Sequence, residues 1–461
     1  MGSEWPEFRL DEITDLIIDC PHSTPKWTKN GVIVLRSQYI KNGRLNLSNP
    51  SFTNEDGYEA RIKRATPSAG DVVLTREAPM GEVCLIPGNL KCCLGQRMVL
   101  LRANKNILDP EYLLYVLQSP FLQHQISWNE GTGTTVSNIR IPSIKAFKIP
   151  TPKLSIQQGI AHTLSTIDNK IELNRQTNQT LEQMAQVLFK SWFVDFDPVI
   201  DNALTAGNPI PEPFKKRAEA RKAVLDKTLP EEQRAHFPSE FEETDELGWV
   251  PKGWGVTPVG KVIENVGGGT PKTKEDAFWV DGTHPFCTPK DMSGLNSKII
   301  LRTERHLTEA GVAKISSGIL PIGTVLMSSR APIGYLAISK TPVSVNQGVI
   351  ALKPNKRYGS EYLLCWAEAS MEEVVSRANG STFLEISKKN FRDIPFLEAS
   401  EAVISEFSVI AEGYFKKITG LQQQVDQLEE MRDTLLPKLI SGEVRLPETD
   451  LVVKQTIEAI A

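Results

Sequence analysis

Hydrophobic residues along this 461-residue chain fall into one pattern that occurs twice. Between residues 155 and 193, Ile160, Leu164, Ile167, Ile171, Leu181 and Leu188 recur on alternating steps of 4 and 3, and Asn174 and Asn178 occupy the middle of the stripe. Between residues 402 and 440 the register returns, shifted by 247 positions, as Phe407, Ala411, Tyr414, Ile418, Leu421, Val425, Leu428 and Leu435. Each stretch predicts a long amphipathic helix with a seam suited to pairing with another such helix. At about 1.5 Å per residue each would extend roughly 58 Å, more than one domain needs to cover its core. The tetrad Leu181-Glu182-Gln183-Met184 is echoed by Leu428-Glu429-Glu430-Met431, so the match goes beyond hydrophobicity and marks an internal duplication.

Each helix follows a segment with the rhythm of a mixed α/β domain. In the first, short β-like runs at Val32 to Leu35, Val72 to Leu74 and Met98 to Leu101 alternate with Gly, Pro and Asn, and a helix is expected from Pro110 to Gln118. The second repeats the order. Gly70 to Gly81 aligns with Gly323 to Gly334 with five of 12 positions identical, and Gln96, Glu111-Tyr112-Leu113-Leu114 and Gly133-Thr134-Thr135 return as Gln347, Glu361-Tyr362-Leu363-Leu364 and Gly380-Ser381-Thr382. The expected order is therefore a domain over residues 1–150, a helix over 151–194, a linker over 195–253, a second domain over 254–397, a second helix over 398–442 and a tail over 443–461. The linker, rich in Pro and charge with one helix near Lys215 to Leu225, reads as a connector draped over the surface or a partner contact.

Charge refines this picture. The net charge is −4, but the two domain segments carry +2 and +5 and the first helix region +1, whereas the linker and the tail region from residue 398 carry −6 each. No run approaches the roughly 20 apolar residues of a membrane span, and the first residues resemble neither a signal peptide nor a myristoylation site. The six cysteines include no C-x-x-C pair and the histidines do not cluster near them, which points to reduced cytoplasmic thiols and to no metal site.

Catalytic motifs are scarce. Gly267-Gly268-Gly269-Thr270-Pro271-Lys272-Thr273 resembles a phosphate loop, yet Pro271 stands where its last glycine belongs and no strand clearly precedes it. Asp109-Pro110-Glu111-Tyr112 lacks the second proline of an amino-methyltransferase motif, and no glycine-rich turn for S-adenosylmethionine or triad of catalytic residues stands out. What the domains offer instead is polar and basic residues at turns. In the first these are Arg36, Ser37, Gln38, Arg61, Lys63, Arg64, Arg76, Gln96, Arg97, Thr134 and Asn138. In the second they are Lys272, Lys274, Thr288, Lys290, Ser329, Arg330, Asn346, Gln347, Asn379, Ser381 and Thr382. Arg, Lys, Asn and Gln suit base edges in the major groove, and Ser and Thr suit phosphates. Equivalent turns carry different residues: Arg36 corresponds to Thr288, Gln38 to Lys290 and Glu77 to Arg330. Two different half-sites would require such divergence on one scaffold.

Three further stretches carry a family resemblance: Lys190-Ser191-Trp192-Phe193-Val194-Asp195-Phe196-Asp197-Pro198, Glu246-Leu247-Gly248-Trp249-Val250-Pro251-Lys252-Gly253-Trp254, and Leu435-Leu436-Pro437-Lys438-Leu439-Ile440-Ser441-Gly442-Glu443. With the duplicated layout, they make the chain similar over nearly its whole length to the specificity subunits of type I restriction-modification systems. The resemblance implies an α/β fold with two target-recognition domains built on twisted sheets, and two spacer helices paired as an antiparallel coiled coil. It implies a cytoplasmic, non-catalytic subunit that binds a bipartite, asymmetric site on double-stranded DNA. The partners it implies are two modification subunits, which bring S-adenosylmethionine and methylate adenine at N6, and up to two motor and nuclease subunits, which bring ATP and magnesium. No cofactor is expected on this chain. Antiparallel pairing would set the two domains at opposite ends of a rod whose length fixes the unread spacer. Asn174 and Asn178 would then face apolar positions such as Leu421 and Val425, fixing register at a cost in stability or lying solvated. The alternatives are a coiled-coil scaffold without DNA specificity, which would show no salt-dependent DNA affinity, and a self-sufficient methyltransferase, disfavoured by the missing motifs.

Overall fold

The computed structural model describes residues 4–128, 138–223, 229–380, 384–446 and 453. Two helices dominate it, Leu154–Phe193 and Glu401–Ser441, called here the first and second long helix. The chain divides into two compact units: residues 1–171 with 426–461, and residues 172–425. Each long helix is thus shared between the units.

In the first unit, strands β1 (Thr14–Asp19), β2 (Val32–Leu35), β3 (Val72–Arg76), β4 (Met80–Leu85), β5 (Cys92–Leu94) and β6 (Met98–Ala103) form two sheets. One is antiparallel in the order β1-β6-β3-β4. In the other, β5 lies parallel to β2, beside Ser51–Thr53 and Trp27–Thr28. The strands of the first sheet read as apolar runs because both faces are covered: helix α1 (Pro110–Gln118) lies on one, where Tyr112, Leu113 and Val116 join Val72, Leu74, Val99 and Leu101, and on the other Val73, Cys84 and Leu100 meet Leu35, Cys92 and Leu94 of the second sheet. Asp109 caps α1 by accepting from the Tyr112 N–H at 2.9 Å, and Pro110 follows at the first turn, where its missing N–H costs nothing. Ile160, Ala161 and Leu164 of the first long helix meet Leu436, Leu439 and Ile440 of the second in that same core.

The second unit repeats the plan. Here β7 (Asn265–Gly267), β8 (His284–Cys287), β9 (Ile299–Ile300), β10 (Val325–Ser329), β11 (Ile333–Ser339), β12 (Ser344–Val345) and β13 (Val349–Leu352) give a sheet in the order β7-β13-β10-β11-β9 and a smaller one containing β8 and β12 in parallel. In this unit Ala185, Phe189 and Trp192 of the first long helix pack with Phe407, Ala411 and Phe415 of the second, and Phe189 and Phe407 meet edge to face at 5.5 Å. In one unit the start of the first helix meets the end of the second, and in the other the reverse holds. The helices therefore run antiparallel.

The seam departs from the simple repeat toward its ends. Ile160, Leu164, Ile167 and Ile171 are buried as expected, but Leu181 and Leu188 are only half-buried, while Ala185 and Phe189 are enclosed. Tyr414 and Leu435 likewise yield to Phe415 and Leu436. A helix of 3.6 residues per turn drifts by about 20° per seven-residue repeat, so adjacent positions come to share the buried stripe away from the middle of the seam. Asn174 and Asn178 are buried rather than solvated: Asn174 donates to Gln424 Oε1 across the seam at 3.0 Å, and both amide atoms of Asn178 lack a protein partner.

The linker is the largest departure from the sequence reading. The described residues of this stretch, 195–223 and 229–253, are folded into the second unit rather than draped over it, with helices α2 (Asp197–Ala206) and α3 (Lys215–Lys222) and a hairpin of Phe241–Thr244 with Gly248–Pro251. Phe196, Val199 and Phe237 are buried beside Trp192, Phe193 and Trp254. Asp197 and Asp201 are buried too, and each accepts a two-pronged hydrogen bond, from Arg217 and Arg221 respectively. Burial works to raise the Asp197 carboxyl, but hydrogen bonds from Arg217 and Ser191 and the charges of Arg217 and Arg221 outweigh it, so its pKa lies below the usual value.

Candidate nucleic-acid interface

Three turns meet at one edge of the first unit. The end of β2 is tied to the β5–β6 turn by the Gly95 N–H, which donates to Leu35 O at 2.8 Å. The end of β3 is tied to the same turn by the Arg76 N–H, which donates to Arg97 O at 2.8 Å. In the second unit the equivalent bonds recur: the Asn346 N–H donates to Cys287 O at 3.1 Å, and the Ser329 N–H donates to Gly348 O at 2.8 Å. A fourth segment closes each edge, with Ile139 N donating to Arg76 O and Ile386 N to Ser329 O. Even the irregularity is shared, since the β3–β4 pairing shifts register between Leu74 and Arg76 and the β10–β11 pairing between Met327 and Ser329.

At the first edge, Arg36 lies with its guanidinium 5.3 Å from the Trp27 ring centroid and donates to Ser51 Oγ at 3.4 Å. Ser37 donates to Ala78 O at 3.1 Å and Gln38 is exposed. The Gln96 amide donates to His22 O, and exposed Arg97 stands 3.7 Å from Glu77. Lys63 and Arg64 are exposed, with Arg64 3.5 Å from Asp19 O, and Asn138 is half-buried.

Two basic residues leave the candidate set. Arg61, 7% exposed, spends its guanidinium on three carbonyls, those of Leu94, Ser23 and Pro21 at 2.7, 3.0 and 3.2 Å. Arg76, 9% exposed, holds Asp19 at 2.7 Å, Ile139 O at 2.9 Å and Asn138 Oδ1 at 3.3 Å. Both are internal braces for the edge, because a buried guanidinium must satisfy its donors within the protein. Thr134 lies outside the described residues.

At the second edge, Lys272, Lys274, Lys290, Gln347 and Asn379 are exposed, and Arg330 is half-buried, 3.6 Å from Glu385. Lys290 pairs with Glu304 at 2.7 Å, a surface contact that a stronger anion would displace at little cost. Asn346 accepts from the Gly348 N–H at 3.0 Å. Ser329, 3% exposed, is part of the scaffold rather than the surface. The Thr288 hydroxyl is likewise occupied, donating to Asp291 at 2.7 Å in a capping box. Ser381 and Thr382 lie outside the described residues.

The glycine run finds its explanation here. A side-chain carbon on Gly268 would stand 1.7 Å from Val345 O, and the Gly269 N–H donates to that oxygen at 3.1 Å. Close backbone approach to β12 requires the glycine. Strand β7 does precede the run, contrary to the sequence reading, but residues 270–275 form no helix to receive a phosphate. The run also brings Thr270 to Gln347, to which it donates a hydrogen bond, a contact that spacing alone did not suggest. Trp27, beside the Arg36 guanidinium, and His22, whose carbonyl receives Gln96, are further residues of the first edge that the sequence reading passed over, although an exposed Trp beside a basic turn is a visible signal.

Elsewhere the described residues hold no group of His, Cys, Asp or Glu able to bind a metal ion, and none of their helices is long and apolar enough to cross a membrane. All six cysteines are buried and unpaired, and burial pushes the Cys84 and Cys92 thiols up to about 12.

Residues 2–183 and 251–397 match the family model described as type I restriction modification DNA specificity domain. Among curated relatives, the type I restriction enzyme HindI specificity subunit of Haemophilus influenzae is 28% identical, with 96% of this chain and 100% of the relative covered. The MjaIX specificity subunit of Methanocaldococcus jannaschii is 24% identical over 93% of this chain and 88% of the relative. A crystal structure of a type I restriction-modification S subunit from M. genitalium shares the fold with a TM-score of 0.50 at 18% identity, covering 95% of this chain and 96% of that one.

Proposed function

Because the chain belongs to the type I restriction-modification DNA specificity family, we propose that it reads a bipartite, asymmetric DNA site, one half at each of the two turn edges, and performs no chemistry itself. The observation that carries this is the pairing of one backbone framework with two different sets of outward side chains: Arg36, Gln38, Gln96 and Arg97 on one edge, and Lys272, Lys274, Lys290, Arg330, Gln347 and Asn379 on the other. Side chains of these kinds donate and accept in pairs on base edges or neutralise phosphates. In this reading two modification subunits assemble on the chain, hold S-adenosylmethionine and methylate adenine at N6. Motor and nuclease subunits that use ATP and magnesium complete the restriction enzyme.

Co-expression with a modification subunit, followed by sequencing of N6-methyladenine in host DNA, tests this. A split motif is expected, absent without this chain. Arg36→Ala and Arg330→Ala should each relax preference in a different half, by about 1–3 kcal/mol per lost base contact. Methylation with no sequence motif by a well-formed complex would favour a scaffold without DNA specificity.

A further inference from the structure

The first reading turn is continuous with a hairpin whose far strand grips the first long helix. Directly after Ser37–Tyr39 the chain forms Ile40–Lys41 paired with Arg44–Leu45, turned by Asn42 and Gly43 at φ of 51° and 78°. Each end of this short device is fastened. Tyr39 is buried with its hydroxyl 2.7 Å from Ser51 Oγ, the group that also receives Arg36. The Asn42 N–H donates to Glu82 Oε2 at 2.8 Å, and a side-chain carbon on Gly43 would run into Gln118 at 2.6 Å. The Arg44 guanidinium then donates to the backbone oxygen of Asp168 on the first long helix.

Asp168 is itself a fixed point. Its carboxylate accepts from the Tyr115 hydroxyl of α1 at 2.8 Å and from Arg432 of the second long helix at 3.0 Å. The second unit builds a comparable tie from other groups. Downstream of Thr288 and Lys290, Ser297 donates to Gln422 Oε1 at 2.9 Å and the Lys298 N–H donates to Glu182 Oε1 at 2.6 Å, one acceptor on each long helix.

We propose that Arg44 is a positioning residue, which through the Ile40–Leu45 hairpin holds Arg36, Ser37 and Gln38 at the angle needed to read the first half-site. The inference rests on the DNA reading proposed above. A side chain that reads a base edge must be held to within about 0.5 Å, and a loop gains that precision only from a rigid support. The paired helices are that support.

The test uses the full chain in complex with its modification subunits. Methylation rates are compared on duplexes carrying single base-pair changes in either half-site. Arg44→Ala should lower discrimination in the half read by the first unit about 5- to 10-fold, the scale of one compromised base contact, and leave the other half unchanged. Arg44→Lys, which still reaches a carbonyl oxygen, should restore most of it. Unchanged first-half discrimination in Arg44→Ala would overturn the proposal, as would equal loss in both halves, which marks a merely structural role. A wild-type complex that discriminates in neither half would overturn the DNA reading on which the proposal stands.

Discussion

Replacing Arg221 by Met asks whether the segment between the two recognition domains is a folded element or a connector. Arg221 meets Asp201 with two hydrogen bonds, and Asp201 is 1% exposed. The substitution keeps much of the aliphatic stem and removes the charge, which leaves a carboxylate buried without its partner. For a fully enclosed pair that loss is about 3–5 kcal/mol. Here the Arg221 side chain is 23% exposed, and Arg217 still stands on the neighbouring Asp197, so about 2–3 kcal/mol is expected. Native-state hydrogen exchange over residues 197–222 reads this directly, as protection lost by roughly 30- to 150-fold in α2 and α3. The double variant Arg221→Met with Asp201→Leu should recover most of the loss, because neither charge is then buried alone. A change below about 0.5 kcal/mol, the range of an ordinary surface substitution, would refute the assignment of this segment to the core.

Two further outcomes follow from buried polar groups. Asn178→Leu should raise stability by about 1–3 kcal/mol in a urea titration, since both amide atoms of Asn178 are buried without a protein partner; a loss of stability would show that the amide is satisfied after all. The Asp197 carboxyl has a folded pKa below its ordinary value, so its contribution is fully present above the ordinary carboxylate range and is lost as pH falls through the folded pKa. Protection of α2 against exchange should therefore hold at neutral pH and fall in acid more in the wild type than in Asp197→Asn, and an equal acid response in the two would contradict the assignment.

What the sequence made legible was whatever local pattern decides. The bounds of Val32–Leu35 and Pro110–Gln118 were readable from β-branched runs and from an Asp-Pro helix start, and the duplicated seam from its spacing. The linker was misread because Pro and charge dominate its composition, whereas its placement is set by a few aromatic residues, Phe196 and Phe237, whose partners Trp192 and Trp254 lie outside it. Arg61 shows the same limit at the site. In sequence it is one of three basic residues beside a turn, and only tertiary structure brings it under the carbonyls of Pro21, Ser23 and Leu94 while Lys63 and Arg64 stay exposed.

The two halves also separate what such a scaffold must keep from what it is free to change. Thr75 and Ser328 are equivalent and both are buried, and each hydroxyl accepts from a backbone N–H of the next strand, Glu82 at 2.9 Å and Tyr335 at 2.8 Å. Losing that oxygen would leave a donor unsatisfied inside the sheet, at about 1–3 kcal/mol, so a hydroxyl residue persists in both copies. Two positions further on, the side chains leave the sheet, and the pair becomes Glu77 and Arg330, opposite in charge. Each has found a local counter-charge on another segment, Arg97 at 3.7 Å and Glu385 at 3.6 Å. Exposed pairs of this kind contribute little to stability, so the fold does not dictate their identity. Selection on such positions can act through what they bind while the turn beneath them keeps its shape.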